Sequence, residues 1–262
     1  MTEETIAPDV AQQLEENWHR VSALFTEVMP VFRNEAPPLS WRPTAMGLLV
    51  RGHYAQQSLF ALPPERRLDA AVLARVAFEH LVTFAWLLVD PLKHHAQFLR
   101  NEVKHTTDLL ADLSKQAGRE VVNGNEALAE LEAAAAKESM PKFDRRSDAA
   151  DQHWREKFPA HPWQFRFLYA TLYRPYSGYV HPLMNGIWPF VHDAGVGTRI
   201  GQPAADLVPG HIRSHSAALL SSALVIASSA FGWPSHEAIR QAWTHGLIVT
   251  DGVIRLAPKD PE

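Results

Sequence analysis

The chain has 262 residues, of which 46% are hydrophobic and 10% aromatic, enough apolar material for a packed core. It contains no cysteine, which excludes a disulfide scaffold, thiolate metal sites and cysteine nucleophiles. The formal net charge of −4 gives no sign of a strongly basic nucleic-acid surface. The acidic start MTEETIAPD lacks the apolar segment of a signal peptide, so we expect a cytoplasmic protein.

The first half of the chain shows the apolar spacing of helices, punctuated by proline and glycine. Asp9 can cap a first helix that ends near Pro30, and a second helix is predicted over Ser40–Leu62. A third helix follows Pro63-Pro64 and extends to about Asp90. Its apolar residues lie nearly all round, as in a buried central helix. A fourth helix is predicted over Pro91–Gly118, with proline at its start and glycine at its end.

The second half is predicted to mix helices with a longer loop. The segment Glu126–Lys137 has high helix propensity, and the charged stretch Glu138–Ala149 is predicted to be a linker. A helix is predicted over Trp163–His181, kinked or restarted at Pro175. The Gly- and Pro-rich stretch Pro182–Pro209 is predicted to be a loop, with room for short strands.

The C-terminal part is predicted to contain two more helices and a hairpin. The helices span His211–Phe231 and Ser235–His245, and Asp251-Gly252 predicts a tight turn between two short strands. The apolar stretch Ala217–Phe231 is shorter than the roughly 20 residues that span a bilayer, so we expect a buried helix and no membrane partner.

These elements predict a mostly α fold, a single bundle-like domain of about seven to nine helices, with a small C-terminal β-hairpin left open. The domain is expected over residues 9–256, between short tails at residues 1–8 and 257–262.

The 14 histidines suggest metal binding, but the patterns are weak. Glu16/His19 and Glu102/His105 have the Glu-x-x-His spacing of di-iron bundles. The 17 Glu and 14 His among 262 residues give about one such pair by chance. A di-iron carboxylate protein stays a minor alternative, and we expect no metal and no cofactor.

Polar residues in the segment Tyr169–Pro182 stand out because their neighbours are apolar. Arg174, Ser177 and His181 are spaced three and four apart, and Tyr173 precedes Ser177 by four, so a helix would align them along one stripe. Burying such a stripe requires polar partners. Arg75 and Glu79, four apart on the most apolar helix, are the candidate partners. We therefore expect the Arg75–Glu79 pair to face Ser177 and His181.

The stretch RPYSGYVH, with six residues between Arg174 and His181, resembles the R-x(4–6)-H signature of the HEPN superfamily of helical domains. Together with LARVAFEHLVTFAWLLVDP, it also resembles an uncharacterised bacterial family of helical proteins of unknown function. The matching stretches lie near residues 70–91 and 165–183. The R-x(4–6)-H signature also occurs elsewhere in the chain, for example at Arg100/His105. We choose Arg174/His181 because this pair lies on an otherwise apolar helix.

The resemblance implies a metal-independent endoribonuclease of the toxin or phage-defence type, with RNA as ligand and a homodimer as assembly. Such chemistry needs a proton carrier and a phosphate-binding cation, roles that suit His181 and Arg174. Arg75, Glu79, Tyr173 and Ser177 would support them. The residue after the arginine is usually polar in that superfamily, whereas here it is Pro175, so a degenerate relative stays open. A non-enzymatic helical module that binds a protein or small ligand, with these residues as a buried network, is the main alternative.

Overall fold

The architecture is known from a computed structural model. It describes residues 16, 18–26, 40–62, 67–119, 126–159, 161, 163–174, 177, 191–193, 198–200, 211–232, 247–250 and 253–256.

The described part of the chain is mostly helical, as the sequence predicts. Residues 18–26 belong to the first helix, α1. The later helices are α2 (Trp41–Ala61), α3 (Arg67–Leu87), α4 (Pro91–Ala117), α5 (Glu126–Ala134), α6 (Phe143–Lys157), α7 (Phe165–Leu168), which continues as a π-helix over Tyr169–Tyr173, and α8 (His211–Phe231).

Two antiparallel hairpins complete the described elements. Strand β1 (Val191–Asp193) pairs with β2 (Thr198–Ile200), within the stretch predicted as loop with short strands. Strand β3 (Leu247–Thr250) pairs with β4 (Val253–Leu256). The second pair confirms the predicted C-terminal hairpin, whose two-residue connection is Asp251-Gly252.

Local chemistry explains why α4 begins and ends where the sequence predicts. The Asp90 carboxylate accepts a hydrogen bond from the Lys93 amide at 3.4 Å, and Pro91 occupies the first turn, where a missing N–H is harmless. Gly118 follows the last residue with φ of +62°, a left-handed conformation that favours glycine.

Helix α3 forms the centre of the core and packs against α2, α6 and α8. Phe78, Leu81 and Phe84 are fully buried, which matches its apolar residues on all sides. Gly52 lets α2 approach closely, because a Cβ there would lie 2.6 Å from Leu81 Cδ2. By length and composition the Asp69–Leu87 part of α3 could cross a bilayer, and 67% of that window is buried inside the protein, as in a core helix.

Side chains from two neighbouring helices satisfy the carbonyls at the end of α3. The indole Nε1 of Trp154 on α6 donates to the Ala85 carbonyl at 2.9 Å. Nδ1 of His94 on α4 lies 2.7 Å from the Trp86 carbonyl, so Nδ1 carries the proton. The last carbonyls of a helix have no intrahelical partner, and these contacts fix α4 and α6 to the end of α3.

A buried polar set joins α1, α2 and α8. Ser22 Oγ lies 2.8 Å from His53 Nε2, and Gln56 Nε2 donates to the Ser216 carbonyl at 2.8 Å. The His53 side chain is only 3% exposed. Burial lowers its pKa to about 4, so His53 is neutral near pH 7.

The linker predicted over Glu138–Ala149 is wrong, because its second half is the start of α6. The buried face of α6 consists of Ser147, Ala150, Asp151 and Trp154, at helical spacing. Ser147 and Asp151 are polar, so the buried face of α6 cannot be recognised from the spacing of apolar residues. The predicted helix Ser235–His245 and the kink at Pro175 lie outside the described residues.

Candidate functional site

A polar cluster lies where α3 meets the helix that begins at Phe165. The Arg75 guanidinium donates to Glu79 Oε1 from Nε at 3.1 Å, to Ser177 Oγ from Nη1 at 3.3 Å and to Tyr173 Oη from Nη2 at 3.3 Å. Its centre also lies 4.7 Å from the centroid of the Tyr173 ring. The predicted juxtaposition of Arg75–Glu79 with Ser177 is therefore confirmed. His181, the other residue of that prediction, lies outside the described residues.

The cluster is largely shielded but opens to solvent at one end. The Arg75 side chain is 12% exposed, whereas that of Glu79 is 37% exposed. Solvent screens the charges of an ion pair that has one exposed member. The position of Arg75 therefore depends mainly on the geometry of its hydrogen bonds. Arg75 therefore braces Tyr173 and Ser177, while Glu79 lies at the solvent-exposed side of the cluster.

A second guanidinium, that of Arg146 on α6, lies beside this pair. Arg146 Nη1 donates to Thr83 Oγ1 at 2.7 Å, and Thr83 Oγ1 donates to the Glu79 carbonyl at 2.6 Å. The guanidinium lies over the Phe143 ring, 4.9 Å from its centroid. Burial lowers the pKa of Arg146, and the charge of Glu79 partly offsets that shift. The Glu79 carboxylate thus pairs with Arg75 and also favours the charged form of Arg146.

The Tyr173 hydroxyl stays protonated in this setting. Burial is the main cause that raises its pKa, and the carboxylate of Glu79 raises it further, whereas Arg75 lowers it. A neutral phenol keeps its hydrogen-bond donor, so Tyr173 links Arg75 to Glu79 without adding a charge. Its ring also contacts Phe143, with centroids 4.5 Å apart, which ties the π-helix to α6.

Arg174 is the one exposed residue of the predicted stripe that the structure describes. It follows Tyr173 directly, has helical backbone, and its side chain is exposed. The chain thus turns one side of this helical stretch towards Arg75 and presents Arg174 to solvent.

Two residues of the cluster, Arg146 and Thr83, are absent from the sequence predictions. Arg146 lies in the stretch predicted as linker, and 63 residues separate it from Thr83. The only local signal for Arg146 is its position in the sequence, one residue before the buried Ser147 and four before the buried Ala150. Its partners come from the tertiary fold, which spacing along the chain does not show.

Within the described ranges, no three His, Asp or Glu side chains come together in a way that could hold a metal ion. Of the two Glu-x-x-His pairs, Glu16 lies 3.8 Å from Arg20, with both side chains exposed. Glu102 and His105 lie on α4, where the His105 side chain is exposed.

Comparisons with known proteins place the chain in a family whose function is not established. No curated protein matches the chain, and no solved structure matches it. A family model, described as a family of unknown function (DUF5677), matches residues 45–197, a range that contains Arg75, Glu79, Arg146 and Arg174. The match covers more than half of the 262 residues, and the chain belongs to the DUF5677 family of unknown function.

Proposed function

We propose that the protein is a HEPN-like, metal-independent endoribonuclease of the toxin or phage-defence type. The observation that carries the proposal is the position of Arg174, exposed to solvent immediately after Tyr173, which Arg75 holds in place. Because the helix is braced, its backbone is already ordered when Arg174 meets a phosphate, and only the arginine side chain has to be fixed. The surplus positive charge of Arg75 and Arg146 over Glu79 adds to the attraction.

The proposed reaction uses the RNA itself as the nucleophile. The 2′-oxygen forms a bond to phosphorus and the bond from phosphorus to the 5′-oxygen breaks, which leaves a 2′,3′-cyclic phosphate and a 5′-hydroxyl. His181 takes the proton from the 2′-hydroxyl, and a proton returns to the leaving 5′-oxygen. Arg174 binds the phosphate oxygens, on which negative charge develops. We further propose a cytoplasmic homodimer with RNA as its partner and no membrane partner.

The test is cleavage of a labelled RNA by purified protein in the presence of EDTA. We expect the wild type to produce cyclic-phosphate ends, and Arg174→Ala and His181→Ala to reduce the rate by about 100-fold or more. The matched controls are Arg100→Ala and His105→Ala, which remove the same motif from an exposed face of α4 and should leave the rate unchanged. A wild type that cleaves no RNA, or equal losses in the controls, would contradict the proposal.

A second candidate is a non-enzymatic helical module, and one observation favours it. The Arg75 side chain is 12% exposed and donates to Glu79, Tyr173 and Ser177, as expected of a structural brace. On this view Arg75→Met should lower Tm by about 4–8 °C, as a loss of about 2 kcal/mol predicts for a chain of this size. Arg100→Met is the control for a long exposed side chain.

The two candidates separate on cleavage, because both allow Arg75→Met to destabilise. If wild-type protein cuts RNA and Arg174→Ala abolishes the cut without changing Tm, the enzyme proposal holds. If the wild type binds RNA without cutting it, the degenerate relative suggested by Pro175 is favoured. If it neither binds nor cuts RNA, the module that binds a protein or small ligand is favoured.

A further inference from the structure

The outer face of the helical stretch that begins at Phe165 carries an aromatic ring beside two arginines. Arg166, Ala170 and Arg174 are exposed and follow one another at intervals of four residues, so they form one line along the helix. Phe167 lies beside this line and is 39% exposed. The buried side of the same stretch consists of Phe165, Leu168 and Leu172. The outer face, defined by Arg166, Phe167, Ala170 and Arg174, therefore presents two cations and one ring to solvent.

Contacts with neighbouring elements hold the outer face in place. The Phe167 ring packs edge-on against the His215 ring of α8, with centroids 5.8 Å apart and planes at 79°. Thr171 Oγ1 donates to the Phe167 carbonyl at 2.9 Å, and the Arg166 amide donates to Asp151 Oδ1 at 3.4 Å. The ring and the backbone are thus positioned before a ligand arrives, so binding mainly has to order the arginine side chains.

The ion pair that Arg166 makes is weak enough to be exchanged for a ligand. Asp148 Oδ1 lies 3.7 Å from Arg166 Nε, and the side chains of Arg166 and Asp148 are 80% and 50% exposed. A pair so exposed contributes little to stability, because water screens both charges. A phosphate can approach this guanidinium from solvent and pair two of its oxygens with the planar fork. Arg166 can therefore pass from Asp148 to an anionic ligand at small cost.

We infer that the outer face binds a single-stranded RNA segment, with a base stacked on Phe167 and phosphates on Arg166 and Arg174. The two arginines are eight residues apart, at most about 12 Å along the helix, so a short strand can contact both while its base covers the ring. Bases of a single strand stack on aromatic side chains, whereas bases of an RNA duplex are already paired and stacked. The inference rests on the proposed function for its ligand, and it adds the class of RNA and two further binding residues, Arg166 and Phe167.

The first experiment measures the affinity of the full-length protein for a single-stranded 2′-O-methyl RNA, which lacks the attacking hydroxyl, at several salt concentrations. Phe167→Leu should raise Kd by about 5-fold or more, as the loss of one stacked base predicts, and leave the salt dependence unchanged. Arg166→Gln should raise Kd and reduce the slope of log Kd against log salt by about 0.7, the value for one phosphate contact. The matched controls are Leu109→Ala and Arg100→Gln, exposed residues of α4, which should stay within about twofold of the wild type. Unchanged affinity in both Phe167→Leu and Arg166→Gln, or a duplex that binds as tightly as the single strand, overturns the inference.

A second variant gives an effect of the opposite sign, which a loss of folding would not produce. Asp148→Asn removes the carboxylate that competes with the phosphate, so it should lower Kd by about twofold or more. The gain should disappear when Asp148→Asn is combined with Arg166→Gln. A gain that persists in the double variant, or weaker binding in Asp148→Asn alone, overturns the inference.

Cleavage of unmodified RNA separates this inference from the proposed function. If the wild type cleaves RNA while Phe167→Leu and Arg166→Gln bind the 2′-O-methyl strand as the wild type does, the inference fails and the proposed function stands. If the outer face binds the strand as expected and no RNA is cleaved, the proposed function fails and the inference stands. Binding to vesicles of phosphatidylglycerol, with the same loss in both variants and no binding of RNA, would replace the strand by a lipid surface and overturn the inference.

Discussion

Acidification should destabilise this protein mainly through His53. The side chain is 3% exposed and its only close polar contact among the described residues is Ser22 Oγ, at 2.8 Å. Burial lowers its pKa from 6.5 to about 4. The unfolded chain therefore binds the proton more readily than the folded chain, and stability rises with pH. The contribution of neutral His53 to the free energy of unfolding is complete above pH 6.5 and is lost as the pH falls towards 4.

The size of the effect follows from the two pKa values. Each pKa unit corresponds to about 1.4 kcal/mol, so the full contribution of His53 is about 3 kcal/mol. At pH 5 the unfolded chain is almost fully protonated at this position, and about 2 kcal/mol is already lost. Burial also lowers the pKa of His95 and His153, so these two residues add to the acid sensitivity of the wild type.

Urea unfolding at pH 7.5 and pH 5 isolates the His53 term when the wild type is compared with His53→Gln. Glutamine does not titrate, so the loss between the two pH values should be about 2 kcal/mol smaller in the variant, whatever its absolute stability. His105→Gln, on an exposed part of α4, should lose as much as the wild type. The reasoning fails if His53→Gln shows the full wild-type loss, or if NMR titration gives His53 an ordinary pKa near 6.5.

Three further predictions concern packing and hydrogen bonds, each measured by urea unfolding. Gly52→Ala places a Cβ 2.6 Å from Leu81 Cδ2 and should lower the free energy of unfolding by about 1–3 kcal/mol. Gly47→Ala, on an open face of the same helix, should raise it by about 0.5–1 kcal/mol. Equal effects of the two substitutions would show that α2 and α3 are not in close contact. Trp154→Phe leaves the Ala85 carbonyl without its donor and should cost about 1–3 kcal/mol, and a neutral result would mean that another donor replaces it. Asp90→Ala removes the cap of α4 and should cost about 1 kcal/mol, with Asp90→Asn close to the wild type; similar losses in both variants would argue against a capping role.

The sequence predicts the elements whose ends have a local chemical cause. Pro91 and Gly118 mark the limits of α4, and the structure ends that helix one residue before Gly118. The partnership of Arg75 and Glu79 with Ser177 is also predictable, because charged residues on an apolar helix need polar partners. In this case the cost of burying charged residues makes the contact predictable.

The rest depends on contacts that no spacing shows. Helix α6 is missed because Ser147 and Asp151 occupy positions on its buried face where apolar residues are expected. Ser147 is tolerated there because its hydroxyl donates to the Phe165 carbonyl at 3.0 Å, a partner 18 residues away. Missing α6 also hides Arg146, a guanidinium that only the fold brings to the cluster.

The π-helix over Tyr169–Tyr173 has a consequence for how the chain tolerates changes in length. A π turn holds one residue more than an α turn. Phe165 and Leu168 before it are buried in the core, and Ser177 after it reaches Arg75. Deleting one residue within it would restore an α turn and leave the residues downstream in the same phase against the core. The π turn is therefore the place in this helix where the loss of one residue is compatible with both the core contacts of Leu168 and the contact of Ser177 with Arg75.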